Sequence, residues 1–227
     1  MKIVRLAVLL FLLSTGASQA QYPSRVTSGV DLGTGYRDKV WAPSLAYHQE
    51  LSINNFPWFN LSWGVRTAGY YSGDKTLTPK NSFASGDSLK FGRLTSNSLS
   101  IMAGITFKFG KFDFGANTDI IGIAIGVKRK GLYTKTSFPL GEESEYYNTL
   151  VSSSPNFFNV VPLGMDKNSG QSEVFVRYWI GQRVGIKAGY VHGRTTYKTE
   201  YKLDNNQNRF STTYDMPYVA ICFPLYN

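Results

Sequence analysis

Cysteine is almost missing from this chain of 227 residues. Cys222 stands alone, so no disulfide forms within the chain and a cysteine-rich zinc site is excluded. Charge is sparse as well: Asp, Glu, Lys and Arg together make up 17% of the sequence. The balance is basic, +9 at neutral pH, yet no Lys/Arg block is longer than Lys128-Arg129-Lys130. Nucleic acid is therefore not an expected partner. Long apolar runs are also scarce. Leu6 to Leu13 is unbroken, but a bilayer-spanning helix needs about 20 residues, and no later segment has that length and apolarity.

What stands before and after that run gives it a different meaning. Lys2 and Arg5 precede it, and small and polar residues ending in Ser18-Gln19-Ala20 follow. This is the order of a secretory signal peptide. We expect residues 1–20 to be removed near Ala20 and the mature domain to be 21–227; a buried N-terminal helix is the alternative. No cysteine stands directly after the run, so no lipoprotein anchor is expected.

Aromatics are abundant, at 15%, with 15 Tyr and 15 Phe, and there are 22 Gly. That composition suits β-structure with tight turns. The pattern is clearest from Leu99 to Val127. Odd positions from Leu99 to Phe109 are apolar and most even ones small or polar; Gly110-Lys111 breaks the run, and Phe112 to Ile120 resumes it. Two alternating strands joined so tightly predict a hairpin. After Ile120 the apolar parity slips by one, to Ile121, Ile123, Ile125 and Val127, as a β-bulge requires.

Six further strands are expected: 25–36, 41–52, 57–71, 172–180, 184–201 and 210–225. In the second of these Trp41, Pro43, Leu45, Tyr47 and Leu51 share one face and Ala42, Ser44, Ala46, His48 and Glu50 the other. Residues 72–95 and 128–170 read as long loops, with 157–163 a candidate extra hairpin or docked segment. The second, fourth and sixth connections are tight, the third and fifth long, and the seventh intermediate. Short turns gathered at one end match an up-and-down barrel with long external loops. Aromatics fall near both ends: Phe56, Trp58, Phe59, Phe109, Phe112, Trp179, Phe223 and Tyr226 at the short turns; Tyr36, Trp41, Tyr70, Tyr71, Tyr197 and Tyr201 at the long loops. They read either as the two belts of a membrane barrel or as the core of a lipocalin-like protein.

With that pattern the mature chain resembles the small eight-stranded outer-membrane barrels of the OmpA/OmpX type, and is similar to the outer-membrane β-barrel domain proteins of Bacteroidota. The resemblance implies an all-β, antiparallel, eight-stranded transmembrane barrel in the outer membrane of a Gram-negative cell. The chain departs from it in ending Phe223-Pro224-Leu225-Tyr226-Asn227, where a terminal aromatic is usual.

The expected lumen face carries His48, Glu50, Arg66, Lys108, Asp113, Asn117, Asp119, Glu173, Arg177, Lys187 and Asp215. Charges of both signs inside so narrow a barrel suit a structural polar plug better than an ion-selective pore or a catalytic site. His48 and His192 are the only histidines and no nucleophile-elbow motif occurs, so no catalytic, cofactor or metal site is expected. Glu142, Glu143 and Glu145 read as solvated loop acids. Lys128, Arg129, Lys130, Arg194 and Lys198 read as lipopolysaccharide contacts or as an ordinary solvated rim. The function expected is non-enzymatic: a monomeric, porin-like barrel with a structural or surface role, in contact with lipid and lipopolysaccharide, whose loops 72–95 and 128–170 meet a partner outside. A lipid A-modifying enzyme and a periplasmic small-ligand barrel are the alternatives.

Overall fold

The computed structural model describes residues 25–79, 86–135, 145–160 and 168–225. The signal-peptide segment, Glu142, Glu143 and Tyr226 lie outside these residues. Among the described residues no helix is long and apolar enough to cross a membrane.

Thirteen antiparallel strands form one sheet: β1 (Val26–Arg37), β2 (Val40–Ile53), β3 (Phe56–Ser72), β4 (Lys75–Pro79), β5 (Asp87–Phe91), β6 (Leu94–Phe109), β7 (Phe112–Ile125), β8 (Arg129–Lys135), β9 (Leu150–Pro155), β10 (Phe158–Val160), β11 (Gly170–Trp179), β12 (Gly185–Thr199) and β13 (Arg209–Leu225). Pairing runs β1–β2–β3–β6–β7–β11–β12–β13 and returns to β1, so the wall closes on itself. The row that starts at Leu32 shows the stagger. One way round it passes Ile221, Ile186, Tyr178 and Phe112 to Phe109; the other way it passes Leu45 and Thr67 to Leu99. The two arrivals on β6 lie ten residues apart, which is the shear that tilts the strands by about 40°.

The bulge expected at Ile120 is present. Ile101 pairs with Ile121 and Met102 with Asp119, so Ile120 is the extra residue. Above it, β7 changes partner from β11 to β10, with Phe158 opposite Ile123 and Val160 opposite Ile121. The segment 157–163 thus contributes a short wall strand on β7; its residues 161–163 lie outside the described ones.

One expectation needs correction. The stretches read as loops contain β4, β5, β8, β9 and β10, whose short alternations, such as Ser88-Leu89-Lys90-Phe91, are hidden among Gly, Ser and charged residues. The first connection is as short as its polar residues Arg37-Asp38-Lys39 imply: Asp38 and Lys39 have φ of 50° and 62° between paired Arg37 and Val40. Both central residues being left-handed makes this a type I′ turn, a conformation that costs a Lys side chain more than glycine. Lys39→Gly is expected to raise stability by about 0.5–1 kcal/mol, measured as a shift of the urea midpoint in detergent micelles; an unchanged or lower midpoint would contradict the assignment of strain.

Four of the extra strands close a second circuit above the first: β12–β9–β8–β5–β4–β13–β12. The β12–β13 hairpin belongs to both, its lower half in the wall and its upper half in this cap. Leu77, Leu89, Phe91, Tyr133, Val151, Tyr197, Leu203 and Phe210 are buried in the cap, and their cluster continues into the wall's upper interior through Val40, Tyr70, Leu94, Val191, Met216 and Tyr218. Tyr70 and Tyr197, expected in the outer aromatic belt, are therefore core residues. Trp179 also turns inward, donating from Nε1 to Asp113 Oδ2 at 2.7 Å.

Candidate functional site

Alternation along each strand sorts the side chains by face. Leu32, Leu45, Trp63, Ile101, Phe114, Val176, Ile186, Ile221 and Phe223 are exposed on the outer surface. The charged residues of the same strands point inward and are buried. An interior this narrow leaves each ion little water, so its neighbours must replace hydration.

The replacement is a connected network. Arg177, 2% exposed, is its lower hub. It donates from Nε to Asp113 Oδ2 and from Nη2 to Glu50 Oε1, both at 2.8 Å, and Nη1 stands 3.3 Å from His48 Nε2. Its guanidinium also lies over the Trp179 ring, 4.8 Å from the centroid. Lys108 reaches the other Glu50 oxygen at 2.7 Å. His48 stands between Glu50, at 3.6 Å, and Asp31, at 3.8 Å. Lys187 then bridges Asp31 at 2.7 Å and Glu173 at 3.0 Å. Glu173 lies 3.7 Å from Arg66, whose Nε is 3.3 Å from Asp119. Asn117 Oδ1 accepts from Arg66 Nη2, and its amide donates to Glu173 at 3.2 Å. The Gln171 backbone N–H donates to Asp119 at 3.0 Å.

Asp215 is not part of this set. It is outside, where its carboxylate meets His192 Nδ1 at 2.6 Å. Its odd position on β13 is the parity of Val219, Ile221 and Phe223, which also face out. Asp31 of β1, low in the lumen beside Lys187 and His48, is the acid that the set includes instead. That residue was overlooked although it sits between Val30 and Leu32 on an alternating strand, which is signal enough to turn it inward. His192 has an acid partner in Asp215.

Above the network the interior turns apolar, through Tyr70, Leu94, Val191 and Met216, and the cap core covers that layer. A gap of about 20 Å³ beside Asp119, Gln171, Arg194 and Tyr214 has room for about one water. Among the described residues no group of His, Cys, Asp or Glu is arranged to hold a metal ion.

The basic residues expected at the rim are only partly brought together. Lys128 and Lys198 line a polar groove of about 320 Å³ on the cap, with Ser152, Ser153, Ser154, Thr199 and Glu200. Lys128 bonds Glu200 at 2.9 Å. Lys130 pairs along the backbone with Ser152 on the same sheet. Arg129 is half-buried, and Arg194 lies lower on β12, opposite Gly170. Glu145 is exposed.

No family model and no curated protein matches the chain. Solved structures do. Neisserial surface protein A aligns over 87% of this chain and 94% of its own, at 14% identity and a TM-score of 0.35. A major outer membrane protein from Thermus thermophilus aligns over 88% and 99%, at 11% identity and 0.40. Ail, the attachment invasion locus protein of Yersinia pestis, aligns over 87% and 96%, at 14% identity and 0.31.

Proposed function

We propose that the chain is an exported, monomeric outer-membrane barrel whose eight-strand circuit crosses the bilayer and whose cap presents a folded surface outside. The placement of side chains carries this reading. Outward Leu, Ile, Val and aromatic residues suit lipid, whereas Arg66, Arg177 and Lys187, each 3% exposed or less, suit an interior that lipid never reaches. The described ends of the chain and the turns at Asn54-Asn55, Gly110-Lys111 and Gly181-Arg183 lie on the side away from the cap, which is the periplasmic side in this reading.

The role is structural or interactive rather than transport or catalysis. Among the described residues an ionic network fills the lower lumen and an apolar layer lies above it, which suits a closed barrel. His48 is buried among Glu50, Asp31 and Arg177, out of reach of a lipid substrate. Reconstitution in a planar bilayer is expected to give no ion-conducting steps, and stable unit conductances would overturn the plug.

The cap groove at Lys128 and Lys198 is the proposed contact for lipopolysaccharide phosphates, because two ammonium groups among serine hydroxyls suit a phosphorylated sugar. The double variant Lys128→Glu/Lys198→Glu is expected to weaken capture of lipopolysaccharide by about tenfold at low salt. Capture equal to that of the unaltered barrel would remove the groove from this role.

A further inference from the structure

On the outer wall, four residues of four neighbouring strands stand in one cross-strand row: Thr118 on β7, Ser172 on β11, His192 on β12 and Asp215 on β13. Each is polar and shares the parity of the apolar band; Thr118 is buried beneath its neighbours, while Ser172, His192 and Asp215 reach the surface. Thr118 Oγ1 and Ser172 Oγ are 2.7 Å apart, and His192 Nδ1 is 2.6 Å from Asp215. His192 and Asp215 keep 61% and 45% of their side-chain surface open, so they do not serve the core. Arg37 joins them from β1, donating from Nη1 to the Tyr190 hydroxyl at 3.1 Å and standing 3.5 Å from the Asp215 carbonyl oxygen.

Directly below this row the wall is hollowed. Ala116 and Ala188 expose little more than backbone where neighbouring strands carry Phe114, Val174, Val176 and Tyr190, and the result is an apolar groove of about 520 Å³. One step along the strands from its floor stands the polar row: Ala116 leads to Thr118, Val174 to Ser172, and Tyr190 to His192.

We propose that this groove and row bind one molecule of a diacyl phospholipid from the surrounding bilayer. The inference rests on the membrane reading above. An acyl chain lies in the groove, the Ser172 hydroxyl, backed by buried Thr118, meets a glycerol ester carbonyl, and Arg37 with His192 meets the phosphate. An apolar slot alone would take any chain. The row beside it supplies the Ser172 hydroxyl. Arg37, which reaches the groove-lining Tyr190 and keeps Asp38 at 3.3 Å, supplies a cation next to it. The apolar, hydroxyl and cationic groups a phospholipid needs thus adjoin one another.

The test is native mass spectrometry of the detergent-extracted barrel titrated with phosphatidylethanolamine. Palmitate and purified lipid A are run as separate arms. One phosphatidylethanolamine is expected to be retained per barrel. Ala116→Leu/Ala188→Leu, which fills the groove with groups lipid tolerates, is expected to lower retention by about tenfold or more. Arg37→Ala/His192→Ala is expected to lower it by a similar factor while leaving palmitate retention unchanged. Retention that never saturates, or that both variants preserve, would reduce the site to annular lipid only and overturn the proposal, as would stronger retention of lipid A. Cleavage of the lipid lost in Ser172→Ala would overturn it in favour of an esterase. A chain that stays folded and monodisperse without detergent would instead refute the membrane reading.

Discussion

Arg177→Met is expected to cost the barrel about 3–5 kcal/mol. The reason is what remains behind. Arg177 is the bonded cation of Asp113 and one of two for Glu50, and both carboxylates are 3% exposed or less. Methionine fills the volume but, among the described residues, leaves Asp113 to the Trp179 indole and Glu50 to Lys108 and the more distant His48. Desolvated charge without an opposite partner is the expensive outcome, not the lost attraction itself. Urea unfolding in detergent micelles, followed by heat-modifiable gel mobility, reads the loss. The triple variant Arg177→Met/Glu50→Gln/Asp113→Asn removes both stranded charges and is expected to recover most of it. Lys108→Met is expected to cost less, because the Lys108 side chain is 29% exposed and water replaces part of its contact with Glu50. A midpoint for Arg177→Met within error of the original would mean the plug is hydrated and the buried-network account wrong.

Much of this arrangement was legible in the sequence because a strand's two faces are written in its alternation. His48 and Glu50, Arg66, Lys108, Asp113, Asp119, Glu173, Arg177 and Lys187 were read onto the inner face from parity alone, and even the slip at Ile120 showed as a shift of one residue. Which of them meet was not legible, since register between strands far apart in the chain is fixed only when the wall closes. Glu50 and Arg177, 127 positions apart, are joined by that closure. Asp215 was misplaced by departing from parity, not by parity failing. The cap was illegible for a different reason. Its strands are five to seven residues long, and their apolar residues point into a core that exists only after the third and fifth connections pair with each other. Tyr70 and Tyr197 were read as belt aromatics for the same reason: the tail of a strand above the bilayer is indistinguishable from its membrane edge until something covers it.

The cap therefore invites the second large effect. Phe210→Ala is expected to destabilise it by about 3–5 kcal/mol. Phe210 is fully buried, lies edge-on to Tyr133 with ring centroids 6.4 Å apart, and its backbone pairs with both Tyr197 and Pro79. It thus sits where β12, β13 and β4 meet, the seam that closes the upper circuit. The loss should stay local. Among the described strands the two circuits have the β12–β13 hairpin in common. Although one apolar cluster runs through both, the hairpin's lower half is held by β1 and β11 through pairings the substitution does not touch. Limited proteolysis is expected to cut the variant within β4, β5, β8 or β9 at protease levels the original survives, while heat-modifiable mobility of the remaining barrel is unchanged. The planar bilayer should stay silent as well, because Tyr70, Leu94, Val191 and Met216 close the interior beneath the cap and the ionic network lies below them. A variant whose barrel melts together with its cap would show one cooperative unit. A variant that begins to conduct would show that the cap, rather than the lumen, is what holds the barrel shut.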